Sequence, residues 1–367
     1  MATTQPTSRP SPRESCSMVE IRTFDGDAEE ASRFVNGVWQ ATYGQELSLA
    51  TWDARFLDWL LFRQGQADRG YLVAAYAGGT LVGTLFAEPA RIRLGHREVD
   101  GSYASWNSVA PGHRGQGIGH KLAEELFRRH RERGAHLTLS CVASGTALAQ
   151  RFWGRSSNAR LLNDLGLWMH VFDPKALARW SLHASERALF TLARPLLRQG
   201  FHHASTEGIR PYRPADLPAC MALVQRMMAP VNLGYAYTPG RLAHQLQYRN
   251  VPRTFVLERG GEVRGLVNYY TLRMKARGEL TAAVVDLLAF DEHLPTAERQ
   301  RLLQVAMQDM VHQGASCAAL LRGPCIPAHL MWRSGWLPWP GGAKVTCLLP
   351  TADVELPTSP RVFTHLR

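Results

Sequence analysis

The stretch Asn107-Ser108-Val109-Ala110-Pro111-Gly112-His113-Arg114-Gly115-Gln116-Gly117-Ile118-Gly119 decides how this chain is read. It joins a strand pattern, Tyr103–Val109, to a helical pattern, Gly117–Arg133. In the helix, Ile118, Leu122, Ala123, Leu126 and Phe127 make one apolar stripe, with Glu124/Arg128 and Glu125/Arg129 paired at i,i+4 on the outside. Glycines at 115, 117 and 119 let the backbone turn sharply and aim successive N–H groups outward, with no Cβ to hold an anion off. At a helix start those N–H groups lack intrahelical partners, and the helix dipole adds partial positive charge. Such a turn binds phosphate, and Arg114 adds a formal charge beside it. A Walker A loop is excluded because no Lys-Ser/Thr pair follows the glycines. A dinucleotide fingerprint is disfavoured, since the glycine spacing differs and the motif follows the fourth strand rather than the first.

Working outward, two stretches repeat one order of elements. Val19–Phe24, a helical run Ala28–Gln40, and the strands Tyr71–Tyr76 and Thr80–Glu88 around Gly78-Gly79 form the first. Gly208–Arg213, the helical run Ala215–Met228, and Thr254–Glu258 and Val263–Thr271 around Gly260-Gly261 form the second. Each continues with a strand, a long helix, a strand and a short helix. The closing strands are Leu167–Phe172 after Gly166, and Ala343–Leu349 after Gly335. The alternation predicts a mixed α/β layer fold, and its repetition points to duplication. Between the halves, Pro174–Gln199 reads as an amphipathic helix that packs the domains together, with a membrane-surface helix as the second reading.

The bulk properties set bounds. With 367 residues, 45% hydrophobic and 20% charged, the chain has length for two domains of about 150 residues each. The sequence contains no run approaching the roughly 20 apolar residues of a membrane span. Met1–Ser17, rich in Pro, Ser and Thr, reads as a disordered tail. Six scattered cysteines and fourteen histidines form no zinc or HExxH spacing, so no metal is expected, and reduced thiols in a cytoplasm are. The formal charge of +11 suits a basic surface or a polyanionic ligand. No Lys/Arg block interleaved with aromatics suggests a nucleic-acid groove.

The run Val109-x-Pro111-x-x-Arg114-Gly115-x-Gly117-Ile118-Gly119 resembles the signature motif of the GNAT superfamily of acyltransferases, and the order of elements from Val19 to about Asp173 resembles that fold. The second half resembles the same fold without the motif: Phe290-Asp291-Glu292-His293-Leu294-Pro295 stands there instead, two acids and no glycine. The resemblance implies an α/β protein of two GNAT-like domains in tandem. Residues 1–17 are the tail, 18–173 carry the acyl-CoA site, 174–207 are a helical linker, and 208–367 are a degenerate second domain. It implies that Arg114, Gly115, Gln116, Gly117, Ile118 and Gly119 hold the pyrophosphate of acetyl-CoA or another acyl-CoA. Pantetheine would lie beside Ser108 and Val109, in a gap between Tyr103–Val109 and Leu137–Val142.

An acceptor amine must be neutral to attack, and an exposed Lys-type amine has a pKa of about 10.4, so a base or a water chain is expected. The family often has Glu or His in the strand before the motif. Here Tyr103, Ser105 and Asn107 share one face, and Asp100 is the nearest carboxylate. Trp153 stands where the family often has a Tyr acid; an indole N–H donates a hydrogen bond but is no practical acid. Cys141 is either a small core residue or an acylated nucleophile. Met331, Trp332, Trp336 and Trp339 are core or an apolar groove. The expected activity is acyl transfer from acyl-CoA to an amine on a small molecule, peptide or protein. Transfer from an acyl carrier protein, or of a long acyl chain, and non-catalytic acyl-CoA binding are the alternatives.

Overall fold

A computed structural model describes residues 18–63, 68–143, 146–154, 158–192, 204–351 and 354–366. The tail at 1–17 and the end of the linker pattern at 193–199 lie outside the described residues.

The first half runs β1 (Val19–Thr23), α1 (Ala28–Tyr43), β2 (Leu49–Thr51), α2 (Ala54–Leu57), β3 (Leu72–Ala77), β4 (Thr80–Leu94), β5 (Arg97–Val109), α3 (Ile118–Glu132), β6 (Leu137–Ala143), α4 (Ala147–Gly154) and β7 (Ala159–Val171). Asp27 starts α1 by accepting the Glu30 N–H at 2.9 Å, an ordinary N-cap. Two helices, α5 (Pro174–Trp180) and α6 (Ala184–Leu192), lead to the second half. There follow β8 (Ile209–Pro211), α7 (Leu217–Met227), β9 (Leu233–Ala236), α8 (Pro239–Leu246), β10 (Arg253–Arg259), β11 (Glu262–Lys275), β12 (Glu279–Phe290), α9 (Thr296–His312), β13 (Ala315–Leu321), α10 (Ala328–Arg333), β14 (Leu337–Leu348) and β15 (Val362–Phe363). The mixed α/β fold and its internal repetition are thus as the sequence pattern implies.

The two halves share one sheet, ordered β1-β3-β4-β5-β6-β14-β7-β13-β12-β11-β10-β8. Their closing strands are exchanged. β14, from the end of the second half, lies antiparallel between β6 and β7, pairing Ala343 with Ala143 and Leu348 with Thr138. In turn β7 pairs antiparallel with β13, Cys317 opposite Val171. The boundary at Asp173 is therefore a boundary in sequence order and not a break in the hydrogen-bonded sheet.

Other contacts lock the halves. β2 pairs with the end of β11, and Trp52, Phe56 and Trp59 from the first half pack with Tyr270 and Leu272 from the second. Glu88, buried on β4, lies 2.5 Å from the Arg241 guanidinium of α8 and 3.5 Å from that of Arg63. A carboxylate so buried needs these cations, because an unpaired charge there costs several kcal/mol (about 3–5). The linker helices cover the second half's sheet: Leu177 and Phe190 join Leu280, Ala282 and Cys317, and Phe190 stacks on Trp339 at 5.7 Å. Among the described residues no helix is long and apolar enough to cross a membrane. The tryptophans of 332–339 have separate environments and form no common groove: Trp336 is fully buried, Trp332 is half exposed against Trp168, and Trp339 lies under Phe190.

Burial lowers the pKa of His130, His170 and His244 to about 4 each. His130 is fully buried at the end of α3, with Nδ1 2.6 Å from the Leu126 carbonyl oxygen and Nε2 2.8 Å from Ser102 Oγ. The folded state holds these rings neutral, whereas the unfolded chain takes up protons near pH 6.5. Their contribution to stability is complete above pH 6.5 and is lost as pH falls toward 4. Unfolding free energies from urea titrations should therefore fall between pH 7.5 and 5, by up to about 1.4 kcal/mol per pH unit for each fully buried ring. In His130→Gln the slope of stability against pH should be shallower than in the parent, whatever its stability at pH 7.5.

Candidate active site

The site forms where β5 leaves β6. The two are paired in parallel only at Gly101/Leu137, Ser102/Thr138 and Tyr103/Leu139. Beyond that point β5 stays with β4 and β6 with β14, so a gap opens between them. The β4–β5 register shifts between Thr84 and Phe86, and opposite that shift Trp106 has φ +55°, a left-handed conformation rarely held by a bulky residue. Thr84 secures it by donating its hydroxyl to the Trp106 carbonyl at 2.9 Å. The extra residue turns Asn107, Ser108 and Val109 onto the rim of a cavity of about 550 Å³.

The floor of that cavity is the start of α3. Gly115 and Gly117 have φ of +78° and +75°, and a Cβ at either would meet no atom within 4 Å. Their glycine character thus serves backbone conformation and open approach, not packing. Gly117 caps α3 without a side-chain hydrogen bond, and the first turn carries no acid. Its leading N–H groups accordingly face the cavity side unpaired within the helix. Gly83 has a different use: a Cβ there would lie 3.1 Å from Ile118 Cγ2 and 3.2 Å from Leu122 Cδ1, so its absence lets α3 sit close on the sheet.

Arg114 donates to the Thr42 hydroxyl and, at 3.3 Å, to the Val109 carbonyl, which ties the loop to α1 and to the strand end. Arg151 adds a second cation, and no Asp or Glu is among the described residues lining the cavity. The inner face of α1 forms the opposite wall with Val38, Trp39, Thr42 and Tyr43, while Phe152 and Trp153 of α4 close the side. Burial raises the Tyr43 pKa against the opposing influence of Arg114, so its phenol stays protonated at neutral pH.

Of the residues expected from the sequence, Asn107, Ser108, Val109, Arg114, Gly115, Gly117, Ile118, Gly119 and Trp153 come together in this lining. Gln116 is exposed on the loop outside it. Ser105 and Tyr103 lie deeper in β5, and the Tyr103 hydroxyl donates to the His365 carbonyl at 3.2 Å. Asp100 is not brought to the site. Its carboxylate is exposed and paired with Arg91 at 2.8 Å, seven residues from Asn107 or about 23 Å along a strand. Cys141 faces away from the cavity toward Thr364 and Tyr103, and burial raises its thiol pKa.

The α1 wall went unread in the sequence. Trp39, Thr42 and Tyr43 do recur at i, i+3 and i+4, one polar-aromatic face on an otherwise ordinary helix, but which sheet edge that face meets is a tertiary matter. Likewise nothing in the local pattern places residues 362–366 against β5 and β9, where His365 lies 3.2 Å from Asp286 and 2.7 Å from the Tyr237 hydroxyl.

At the corresponding place in the second half, Asp291 accepts the His293 N–H at 3.0 Å and lies 3.3 Å from Arg226 and from Arg264. That N–H, followed by the two guanidinium groups, holds the carboxyl below the usual carboxylate range. The loop thus supplies its own anion where the first half leaves donors open.

Residues 32–157 match the acetyltransferase (GNAT) family. No protein with a curated description matches the chain. Among solved structures, N-myristoyltransferase of Saccharomyces cerevisiae with bound myristoyl-CoA is similar over 98% of this chain and 92% of its own, at 13% identity and TM-score 0.75. GCN5-related N-acetyltransferases from Anabaena variabilis (10% identity, TM-score 0.55) and Kribbella flavida (17%, TM-score 0.52) are each similar over 91% of this chain and 73% of their own. At such identities the likeness is one of fold. Motif, match and architecture agree: residues 32–157 form a domain that matches the GNAT family, and the chain has a tandem GNAT-like fold.

Proposed function

We propose that the protein is an N-acyltransferase that moves an acyl group from acyl-CoA to an amine acceptor by direct attack in a ternary complex. The observation that carries this is the junction of the open, acid-free loop at Arg114–Gly119 with the gap between β5 and β6, in one cavity. Phosphate oxygens suit the N–H groups at the start of α3 and the guanidinium groups of Arg114 and Arg151. The β5 edge that β6 leaves unpaired can hydrogen-bond the amides of a pantetheine arm as another strand would. The same edge beside Ser108 and Val109 offers N–H donors to a thioester carbonyl as it gains negative charge.

The chain's own residues then manage protons. The cavity has no carboxylate among its described lining, so deprotonation of the amine falls to water oriented by Asn107. Tyr43 is the cavity's acid, a protonated phenol able to hydrogen-bond a departing thiolate; Trp153 contributes at most an N–H. A thiolate is a good leaving group, so this assistance is modest. Cys141, with its raised thiol pKa, has no part in the transfer. The fold likeness to a protein solved with myristoyl-CoA supports an acyl-CoA donor, and a peptide or other amine acceptor is consistent with it.

Two measurements test this reading. Calorimetry should give one CoA per chain, because Asp291 fills the second half's loop. Arg114→Glu with Gly117→Asp should abolish that binding at unchanged circular dichroism; a stoichiometry of two, or binding that survives the double change, would overturn the site. In assays of thiol release with a panel of amines, Tyr43→Phe should slow turnover by less than the roughly 10²-fold that marks strong general-acid catalysis, with CoA affinity unchanged. Cys141→Ala should keep its activity, and an acylated Cys141 peptide in mass spectrometry would instead establish a two-step route.

A further inference from the structure

The cavity has a wall whose construction bears on what the donor can carry. Beside Ser108 the α1 side is closed by Trp39, whose indole N–H donates to the Ser108 hydroxyl at 2.9 Å. Behind Trp39 the space is filled. Its ring meets Trp52 edge-on at 6.1 Å; Trp52 meets Trp106 at 5.6 Å and Phe56 at 5.1 Å; Phe56 meets Trp59 at 5.5 Å and Tyr270 at 5.1 Å. Those five are at most 5% exposed and run as a continuous aromatic column from α1 to β11 of the second half. Trp39 is the member that is partly exposed and borders the cavity.

We propose that Trp39, latched by Ser108, is the specificity-determining residue that confines the donor to a short acyl group. The inference rests on the donor-site reading above and goes beyond it to the length of the transferred chain. A thioester held beside Ser108 and Val109 points its acyl tail at the α1 wall. Each methylene gains by leaving water only where a space accepts it. A close-packed column of rings offers none without moving side chains from their places. Trp39 is the member at the cavity end of the column, packed on one side only by the buried cluster, so its replacement disturbs the column least. Replacing it with a small residue opens room next to the thioester while leaving the column intact.

The test is a titration of the full chain with CoA, acetyl-CoA, hexanoyl-CoA and myristoyl-CoA, the last below its micelle concentration. In the parent, hexanoyl-CoA and myristoyl-CoA should bind no tighter than acetyl-CoA. In Trp39→Ala the ratio of hexanoyl-CoA to acetyl-CoA affinity should rise roughly tenfold, the equivalent of two buried methylenes. Ser108→Ala, which removes the latch and keeps the ring, should move the ratio in the same direction by less. Trp39→Phe gives a second reading with a smaller loss of packing, and ratios within one variant cancel any change in its folded fraction. Parent affinity that climbs from acetyl through hexanoyl to myristoyl would overturn the gate, as would an unchanged ratio in both Trp39 variants. Failure of CoA itself to bind is a different result: it removes the donor site and the gate with it.

Discussion

The exchange of β7 and β14 is the constraint on which the proposed acyl site depends. A strand that leaves its neighbour inside a sheet abandons hydrogen bonds, and buried backbone groups tolerate that poorly. β6 can part from β5 after Leu139 because β14 pairs with it from Thr138 to Ala143 on the other side. The gap proposed to receive the donor is therefore held open by a strand from the far end of the chain. Conversely β13 would end as an unprotected edge without β7. Neither half can close its own sheet, which explains why the two lie as one continuous body across the boundary that the sequence repeat suggests.

The two halves repeat one order of elements, and charge distinguishes their loops at the corresponding helix starts. In the first, Gly115 and Gly117 hold the backbone in left-handed conformations that leave donors facing outward, with Arg114 beside them. In the second, Asp291 answers the donors internally and is balanced by Arg226 and Arg264. A phosphate arriving there would meet a carboxylate already in place. What the second half supplies instead is structure around the site: β14 beside β6, Tyr270 beneath the aromatic column, Arg241 against Glu88 and the segment 362–366 against Tyr103.

Legibility followed the range of the interactions. The glycine-rich helix start was readable because its requirements are local: three glycines in alternation, an arginine and an apolar helix stripe lie within fourteen consecutive residues. Asp100 shows the limit of reading by proximity in sequence. Seven residues of extended chain carried it to the other end of β5, where Arg91 holds it. The three tryptophans near 336 looked like one patch, but a turn of helix and a strand sent them to three environments. Tyr43 and Trp39 were passed over for the opposite reason, being more than sixty residues from the motif they face.

By itself the sequence determined the class of fold, the repetition of its elements, and a glycine-rich helix start that the second copy lacks. Those features follow from backbone sterics and hydrophobic periodicity, which act within a helix or a hairpin. Only the tertiary structure decided which strands are neighbours, and so that the closing strands are exchanged. It also decided that α1 supplies the wall of the cavity, and that no carboxylate described in its lining stands ready as a base. These depend on pairing between segments far apart in the chain, where the same apolar strand fits several partners and only the simultaneous satisfaction of all backbone hydrogen bonds selects one.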